Sequence, residues 1–173
     1  YVLPAIGEPR WLYLSSLGEH SLPYHKALLG YLNANPKIQL AFQPGTFQIK
    51  FGPETLTGLY RRSNIFLCNK NEAQKILKLE TANGEIEIKK LLTGLHELGP
   101  KIVVITDGPK GAYAYDGTNM YQQAPYPDPK PPYERTGSGD AFASTTVAAL
   151  ALGQDLPTAL QWGAVNSMSV VQQ

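Results

Sequence analysis

The sequence predicts an α/β fold in which a mostly parallel, doubly wound sheet carries helices on both faces and an antiparallel hairpin at one edge. Three observations predict it. Short apolar runs alternate with longer stretches of helical period along the chain, as strands and helices do when they follow one another in turn. Ile102 to Ile105 is an unbroken β-branched run, which suits a strand buried on both faces and therefore a central one. Ala112 to Tyr115 and Met120 to Gln123 flank the turn-forming stretch Asp116-Gly117-Thr118-Asn119, which makes a hairpin of the two runs.

Trp11 to Leu14 is a short strand. Ser21-Leu22-Pro23 then sets a capping Ser and an early Pro before a helix carrying Leu28, Leu29 and Leu32, which Asn33 to Pro36 ends. Ile38 to Phe42 is the next strand. It closes at the turn Gln43-Pro44-Gly45-Thr46, after which Pro53 opens a short helix through Leu56 and Leu59. Ile65 to Leu67 returns to the sheet. Asn69 to Leu79 and Glu85 to Leu98 are helices by their apolar spacing: the first turns Ala73, Ile76 and Leu77 inward, the second Ile88, Leu91, Leu92 and Leu95. Gly99-Pro100 stops the second. Beyond the hairpin, Pro125 to Pro132 holds five prolines, which deny it regular structure. A small-residue helix follows from Asp140 to Leu152, and Pro157 opens a last helix that runs to the end.

Composition bounds the function. A chain of 173 residues is long enough to bury a core as a single domain without staples. Its lone Cys68 cannot make an internal disulfide and fits a reducing compartment, which points to the cytoplasm. Hydrophobic residues at 43% are too many for a disordered chain, and a formal charge of +1 offers no basic surface to nucleic acid. No apolar run reaches the roughly 18 residues of a membrane span. Tyr1-Val2-Leu3-Pro4 has neither a Met nor the regions of a signal peptide, and the last helix stops uncapped at Gln172-Gln173. The sequence therefore reads as a piece cut from a longer protein at both ends. Its oligomeric state is not legible, and a homodimer stays open.

The most informative stretch is Arg135-Thr136-Gly137-Ser138-Gly139-Asp140-Ala141-Phe142. Gly137, Ser138 and Gly139 open a helix, where successive backbone N–H groups form a positive concavity suited to a phosphate oxygen. Asp140 sits in the first turn, where the helix favours negative charge, and could accept a proton from a substrate hydroxyl. The plainer alternative is that the glycines only turn the chain and Asp140 only complements the dipole. Other phosphate signatures fail. Phe142 stands where the dinucleotide fingerprint needs its third Gly, and no Gly-x-x-x-x-Gly-Lys-Ser/Thr loop, His-Arg-Asp or Asp-Phe-Gly occurs.

Glu134 to Phe142 resembles the C-terminal signature of the ribokinase-like (pfkB) family of carbohydrate kinases, Asp-Thr-x-Gly-Ala/Ser-Gly-Asp-Ala/Thr-Phe. The resemblance implies a Rossmann-like, ribokinase-like sheet, with Asp140 as the base that deprotonates a sugar hydroxyl and Gly137, Ser138 and Gly139 as the anion hole. Where the family has Asp-Thr, in a region linked in some members to a monovalent cation, this chain has Glu134-Arg135. With that departure the resemblance leaves a monovalent cation, and potassium activation with it, open. Two more stretches match in family order. Asn69-Lys70-Asn71-Glu72 looks like the family's Asn-x-x-Glu, associated with magnesium and phosphate placement, Glu72 acting through water; Asn69 and Glu72 would equally make a helix capping box. Thr106-Asp107-Gly108-Pro109-Lys110-Gly111 looks like its Thr-x-Gly-x-x-Gly, which implies that Thr106, Gly108 and Gly111 contact the nucleotide; a tight turn would use the same glycines. Gln43-Pro44-Gly45-Thr46 is similar to its Asn/Asp-Pro-Gly-Thr, but with Gln43 in the Asn or Asp place it is assigned no catalysis.

Asn166 lies on the helix that borders the adenine pocket in relatives, which would make it a nucleotide contact, though a mid-helix Asn more often packs or bonds locally. His20, His25 and His96 lack metal-ligand spacing and, with Cys68, read as structural. The resemblance thus implies ATP-dependent phosphoryl transfer, with magnesium, to a hydroxyl of a sugar or related small molecule. The family's acceptor-binding and lid positions do not occur in this sequence, so the acceptor is not legible and the isolated chain need not turn over. Two alternatives stand beside this reading: a nucleotide-binding regulatory protein of the same fold, and an NAD-dependent oxidoreductase, against which the failed fingerprint argues.

Overall fold

Period-two alternation along the strands sorts their side chains between two cores. The computed structural model, which describes residues 2–79, 86–128 and 136–172, holds a six-stranded sheet in the order β1 to β6. The strands β1 (Trp11–Leu14), β2 (Gln39–Phe42), β3 (Ser63–Asn69) and β4 (Ile102–Thr106) run parallel. β5 (Ala112–Tyr115) and β6 (Met120–Gln123) complete the sheet as an antiparallel hairpin at its edge. The mixed, mostly parallel sheet and the interior place of Ile102–Ile105 agree with the sequence pattern.

Five helices, α1 (Leu22–Ala34), α2 (Thr46–Thr55), α3 (Thr57–Arg62), α4 (Lys70–Ile76) and α5 (Ile88–Glu97), fill the crossovers between the parallel strands. Phe42, Phe66, Cys68, Val103 and Ile105 face one core together with Leu32, Leu59, Tyr60, Ile76, Leu91 and Leu95 from these helices. Tyr60 stacks on Phe66 with ring centroids 5.1 Å apart. The residues between them, Ala41, Ile65, Leu67, Val104, Ala112 and Ala114, face the second core under α6 (Ser138–Ala151) and α7 (Leu156–Val171). That face is rich in Ala, so α6 lies close to the sheet. The two helices pack closely on each other as well: a Cβ on Gly163 of α7 would lie 2.9 Å from the Phe142 carbonyl and overlap the Thr146 hydroxyl.

Several local expectations are corrected. Ser21 makes no side-chain cap; a 3-10 turn, Glu19–Ser21, precedes α1, and Ser21 Oγ donates instead to Gly18 O at 2.6 Å. Pro53 opens a helical turn as expected, after Gly52 (φ 80°) breaks α2, but a first helical segment already begins at Thr46. Gln48 explains the early start: it is fully buried, its Oε1 accepts from Gly45 N (3.0 Å) and Leu17 N (3.3 Å), and its Nε2 donates to Ser15 O (2.9 Å). α6 begins at Ser138, two residues before the expected Asp140. The expected helix start at Glu85, the motif residues Glu134 and Arg135, and Pro129, Pro131 and Pro132 of the proline stretch lie outside the described residues. Among the described residues no helix is long and apolar enough to cross a membrane.

Candidate functional site

Parallel strands that all feed loops at one sheet edge gather those loops together, and open α/β sheets bind ligands there. Gln43 follows β2, Asn69 ends β3, and Thr106 ends β4, where the sheet register pairs it with Asn69. The first turn of α6 comes to the same edge from the other face. Gly137 takes the N-cap place in the left-handed region (φ 81°, ψ −11°), which costs glycine little and other residues more. Ser138, Gly139 and Asp140 are the first helical residues, and the first intrahelical bond there runs from Ala141 N to Gly137 O at 2.8 Å. Their amides thus belong to the open end of the helix. A Cβ on Gly139 would meet nothing within 4 Å, so the bare backbone faces open space in which a ligand oxygen can reach it.

Two adjoining cavities meet here. The larger, about 580 Å³, is walled by Gly108, Gly111 and Pro109 on one side and by Phe142, Ala164 and Met168 on another, with Tyr126 at its rim. Its size falls within the range of small-molecule sites. The smaller, about 130 Å³, contains Gln43, Cys68, Glu72 and Asp140. Asn69, Thr106, Gly139 and Phe142 line both. Among the expected site residues Asn69, Glu72, Thr106, Gly108, Gly111, Ser138, Gly139 and Asp140 are therefore brought together, while Gly137 shapes the helix start beside them. Asn166 is not. Its amide donates to Thr145 Oγ1 at 2.8 Å across the α6–α7 contact, whereas Ala164, Ser167, Met168 and Val171 of the same helix line the larger cavity.

Asn69 and Glu72 do form the capping box that the sequence allowed: Glu72 N donates to Asn69 Oδ1 (2.9 Å) and Asn69 N to Glu72 Oε2 (2.8 Å). Burial, with a smaller contribution from the Asp140 charge, holds the Glu72 carboxyl above its ordinary pKa. Two carboxylates that disfavour each other's charge in one small cavity fit a divalent cation. No group of three or more potential metal-binding side chains exists among the described residues. Glu72 and Asp140, two carboxylates in one small cavity, are a donor set that fits hydrated magnesium, which takes one or two carboxylates beside phosphate.

The Thr106–Gly111 loop is a tight turn as well as a wall. Asp107 N donates to Gly111 O at 2.8 Å across the 3-10 turn Gly108–Lys110. Lys70 pairs with Asp107 (Nζ to Oδ2, 3.4 Å), which ties this loop to the start of α4. Gln43, which the sequence placed in a family-like turn without a catalytic role, and Tyr13, which it did not single out, both reach the site. Gln43 Nε2 donates to Asp140 Oδ1 at 2.8 Å, and the Tyr13 hydroxyl donates to Gln43 Oε1. Gln43 had two usable signals, its place at the carboxyl end of a parallel strand and in the Gln43-Pro44-Gly45-Thr46 turn; Tyr13, inside a strand, had none.

Comparison with known proteins identifies the family and the fold. A family model described as pfkB family carbohydrate kinase matches residues 39–173. A cytidine kinase from Thermococcus kodakarensis is 31% identical over 120 residues, covering 69% of this chain and 41% of that protein. The nucleoside kinase of Methanocaldococcus jannaschii, an archaeal member of the ribokinase family, has a TM-score of 0.75 at 21% identity, over 98% of this chain and 52% of that one. Arabidopsis thaliana ribokinase, solved with ribose and ATP, has a TM-score of 0.77 at 19% identity, over 94% and 50%. At those identities the two structures share a fold with this chain. The chain spans about half of their length and 41% of the cytidine kinase.

Proposed function

The chain belongs to the pfkB family of carbohydrate kinases, and from that premise we propose that it forms the nucleotide-binding part of an enzyme that transfers the γ-phosphoryl group of ATP to a hydroxyl of a sugar or nucleoside. The observation that carries the reading is the placement of Asp140 beside Glu72 in a small cavity that shares four walls, Asn69, Thr106, Gly139 and Phe142, with a nucleotide-sized one. In this reading the larger cavity takes ATP, its base against Ala164 and Met168 and its phosphates along Gly108 to Gly111. The smaller takes the transferring group.

Asp140 accepts the proton of the acceptor hydroxyl as its oxygen bonds to the γ-phosphorus and the bond from that phosphorus to the β–γ bridging oxygen breaks, releasing ADP. The Ser138 and Gly139 amides at the open end of α6 face the charge that develops on the phosphoryl oxygens. Bound magnesium would neutralise phosphate charge, and Glu72 would hold it through water, with Asn69 beside it. The rest is positioning: rigid strand ends fix Asn69 and Thr106, so reacting groups meet in a set geometry. A single buried thiol at Cys68 accords with a cytoplasmic setting.

Two measurements test the proposal. Calorimetric titration of the chain with magnesium ATP, with NAD as control, is expected to show saturable binding of ATP alone. Turnover of the intact protein against nucleosides and sugars is expected to fall by at least about 10²-fold in Asp140→Asn; retained turnover would remove Asp140 from the role. ATP binding without any phosphorylated product would favour a regulatory nucleotide-binding protein.

A further inference from the structure

We propose that Gln43 and Tyr13 are positioning residues for Asp140, a hydrogen-bonded relay that runs from β1 through the end of β2 to the first turn of α6 and aims the carboxylate into the smaller cavity. The inference rests on the kinase reading of Asp140. Its basis is the direction of the two hydrogen bonds. A carboxylate only accepts, so the contact to Asp140 Oδ1 at 2.8 Å belongs to the Gln43 amino group. That orientation leaves Gln43 Oε1 facing β1, where the Tyr13 hydroxyl donates to it. A side chain here must donate to the Asp140 carboxylate, and with its other end it can accept from Tyr13. Glutamine meets that requirement; a carboxylate at the same place would set two acceptors against each other.

The relay is anchored at both ends. Gln43 N donates to Leu14 O at 2.9 Å, the residue after Tyr13 on the neighbouring strand. Two residues on, Gly45 lies so close to Ser16 that any Cβ would overlap its side chain, which fixes the β1 and β2 loops against each other. The Tyr13 phenol is pushed up to about 12 by burial and by the Asp140 charge, so it stays a donor throughout the working range. Asp140 Oδ2 accepts no hydrogen bond from the described residues. One carboxylate oxygen is thus held while the other remains for the hydroxyl proton.

The test compares Gln43→Glu, which keeps shape and removes the donor, with Gln43→Met, which keeps length without charge. With magnesium ATP and the acceptors that the wild-type protein turns over, both are expected to lower kcat by on the order of 10²-fold, the scale of a misplaced reacting group. The KM for ATP and the thermal midpoint should stay near wild type. Tyr13→Phe, which removes one hydrogen bond, should lower kcat roughly fivefold. In the 173-residue chain, a Gln43 side-chain amide proton should resonate downfield and move back in Asp140→Ala. Unchanged kcat in both Gln43 variants, a loss confined to KM, or a Gln43 amide indifferent to Asp140 would overturn the relay while leaving the kinase reading in place. A wild-type protein that transfers phosphate to no nucleoside or sugar would overturn the kinase reading and the relay's catalytic role with it.

Discussion

Asn69 and Glu72 hold each other's backbone amides, Glu72 N to Asn69 Oδ1 at 2.9 Å and Asn69 N to Glu72 Oε2 at 2.8 Å, while both side chains line the smaller cavity. One pair thus serves the start of α4 and the candidate site, and substitution can separate the roles. Glu72→Gln keeps an oxygen to accept the Asn69 amide but loses the charge. It should leave the urea midpoint nearly unchanged and weaken binding of magnesium ATP, measured by calorimetry, by about tenfold, the scale of one charge-assisted contact. Asn69→Ala should instead cost about 1 kcal/mol of stability as a lost cap. Unchanged ATP affinity in Glu72→Gln would reduce Glu72 to a capping residue.

Gly108 and Gly111 look interchangeable in the sequence, and the structure separates them. Gly108 has φ +50° with open space where a Cβ would point, so Gly108→Asn should cost less than about 1 kcal/mol. Gly111 has φ +89°, ψ −144°, and a Cβ there would overlap the Gln123 carbonyl and lie 3.1 Å from Pro125. Gly111→Ala should cost about 3 kcal/mol or more, because strain and overlap add. Urea unfolding of both variants decides it; equal midpoints would show that the loop relaxes around Gly111.

What the sequence made legible is the part governed by short-range pattern. The alternation that sends Ile65 and Leu67 to one core and Phe66 and Cys68 to the other is visible in the order of residues, as are the hairpin, the two motifs at the ends of β3 and β4 and the one that opens α6. The early start of α2 was hidden because it depends on Gln48 reaching Ser15 and Leu17, contacts more than 30 residues apart in the chain. The contact of Gln43 with Asp140 was hidden for the same reason: the two are 97 residues apart. Asn166 donates to Thr145 rather than lining the cavity because neighbouring positions on a helix point about 100° apart, so Ser167 beside it faces the cavity and Asn166 does not.

Asp116 makes the hairpin turn pH-dependent. It accepts from Asn119 N (2.6 Å), Thr118 N (2.8 Å) and the Tyr121 hydroxyl (2.7 Å), and these hydrogen bonds lower its pKa to about 2. A carboxyl depressed in the folded state stabilises above its unfolded value of about 3.9 and loses that contribution as pH falls through its folded value. The difference in thermal midpoint between wild type and Asp116→Ala should therefore be constant above about pH 5 and shrink between about pH 4 and 2. A difference independent of pH would assign the effect to turn geometry alone.

His25 also makes the fold lose stability in acid, in a higher pH window and by taking up a positive charge rather than losing a negative one. It is buried on α1 against Phe51, with ring centroids 6.1 Å apart; its Nδ1 lies 2.7 Å from Ser21 O, and its Nε2 is buried without a partner. Because a carbonyl only accepts, Nδ1 carries the proton of the neutral ring, and protonating Nε2 would bury a charge with nothing to receive it. Burial accordingly lowers the His25 pKa below its ordinary value. The unfolded chain then binds more protons than the folded one just below about pH 6.5, so stability must fall as pH drops through that window, by at most about 1.4 kcal/mol per pH unit for one group. His25→Met fills the same apolar site without a proton. Urea unfolding at pH 7.5, 6.5, 5.5 and 5, values chosen to span roughly the histidine range, should show a steeper acid loss in wild type than in the variant. Parallel curves would mean that the ring takes up its proton in the folded state after all, with the α1 start opening to admit water.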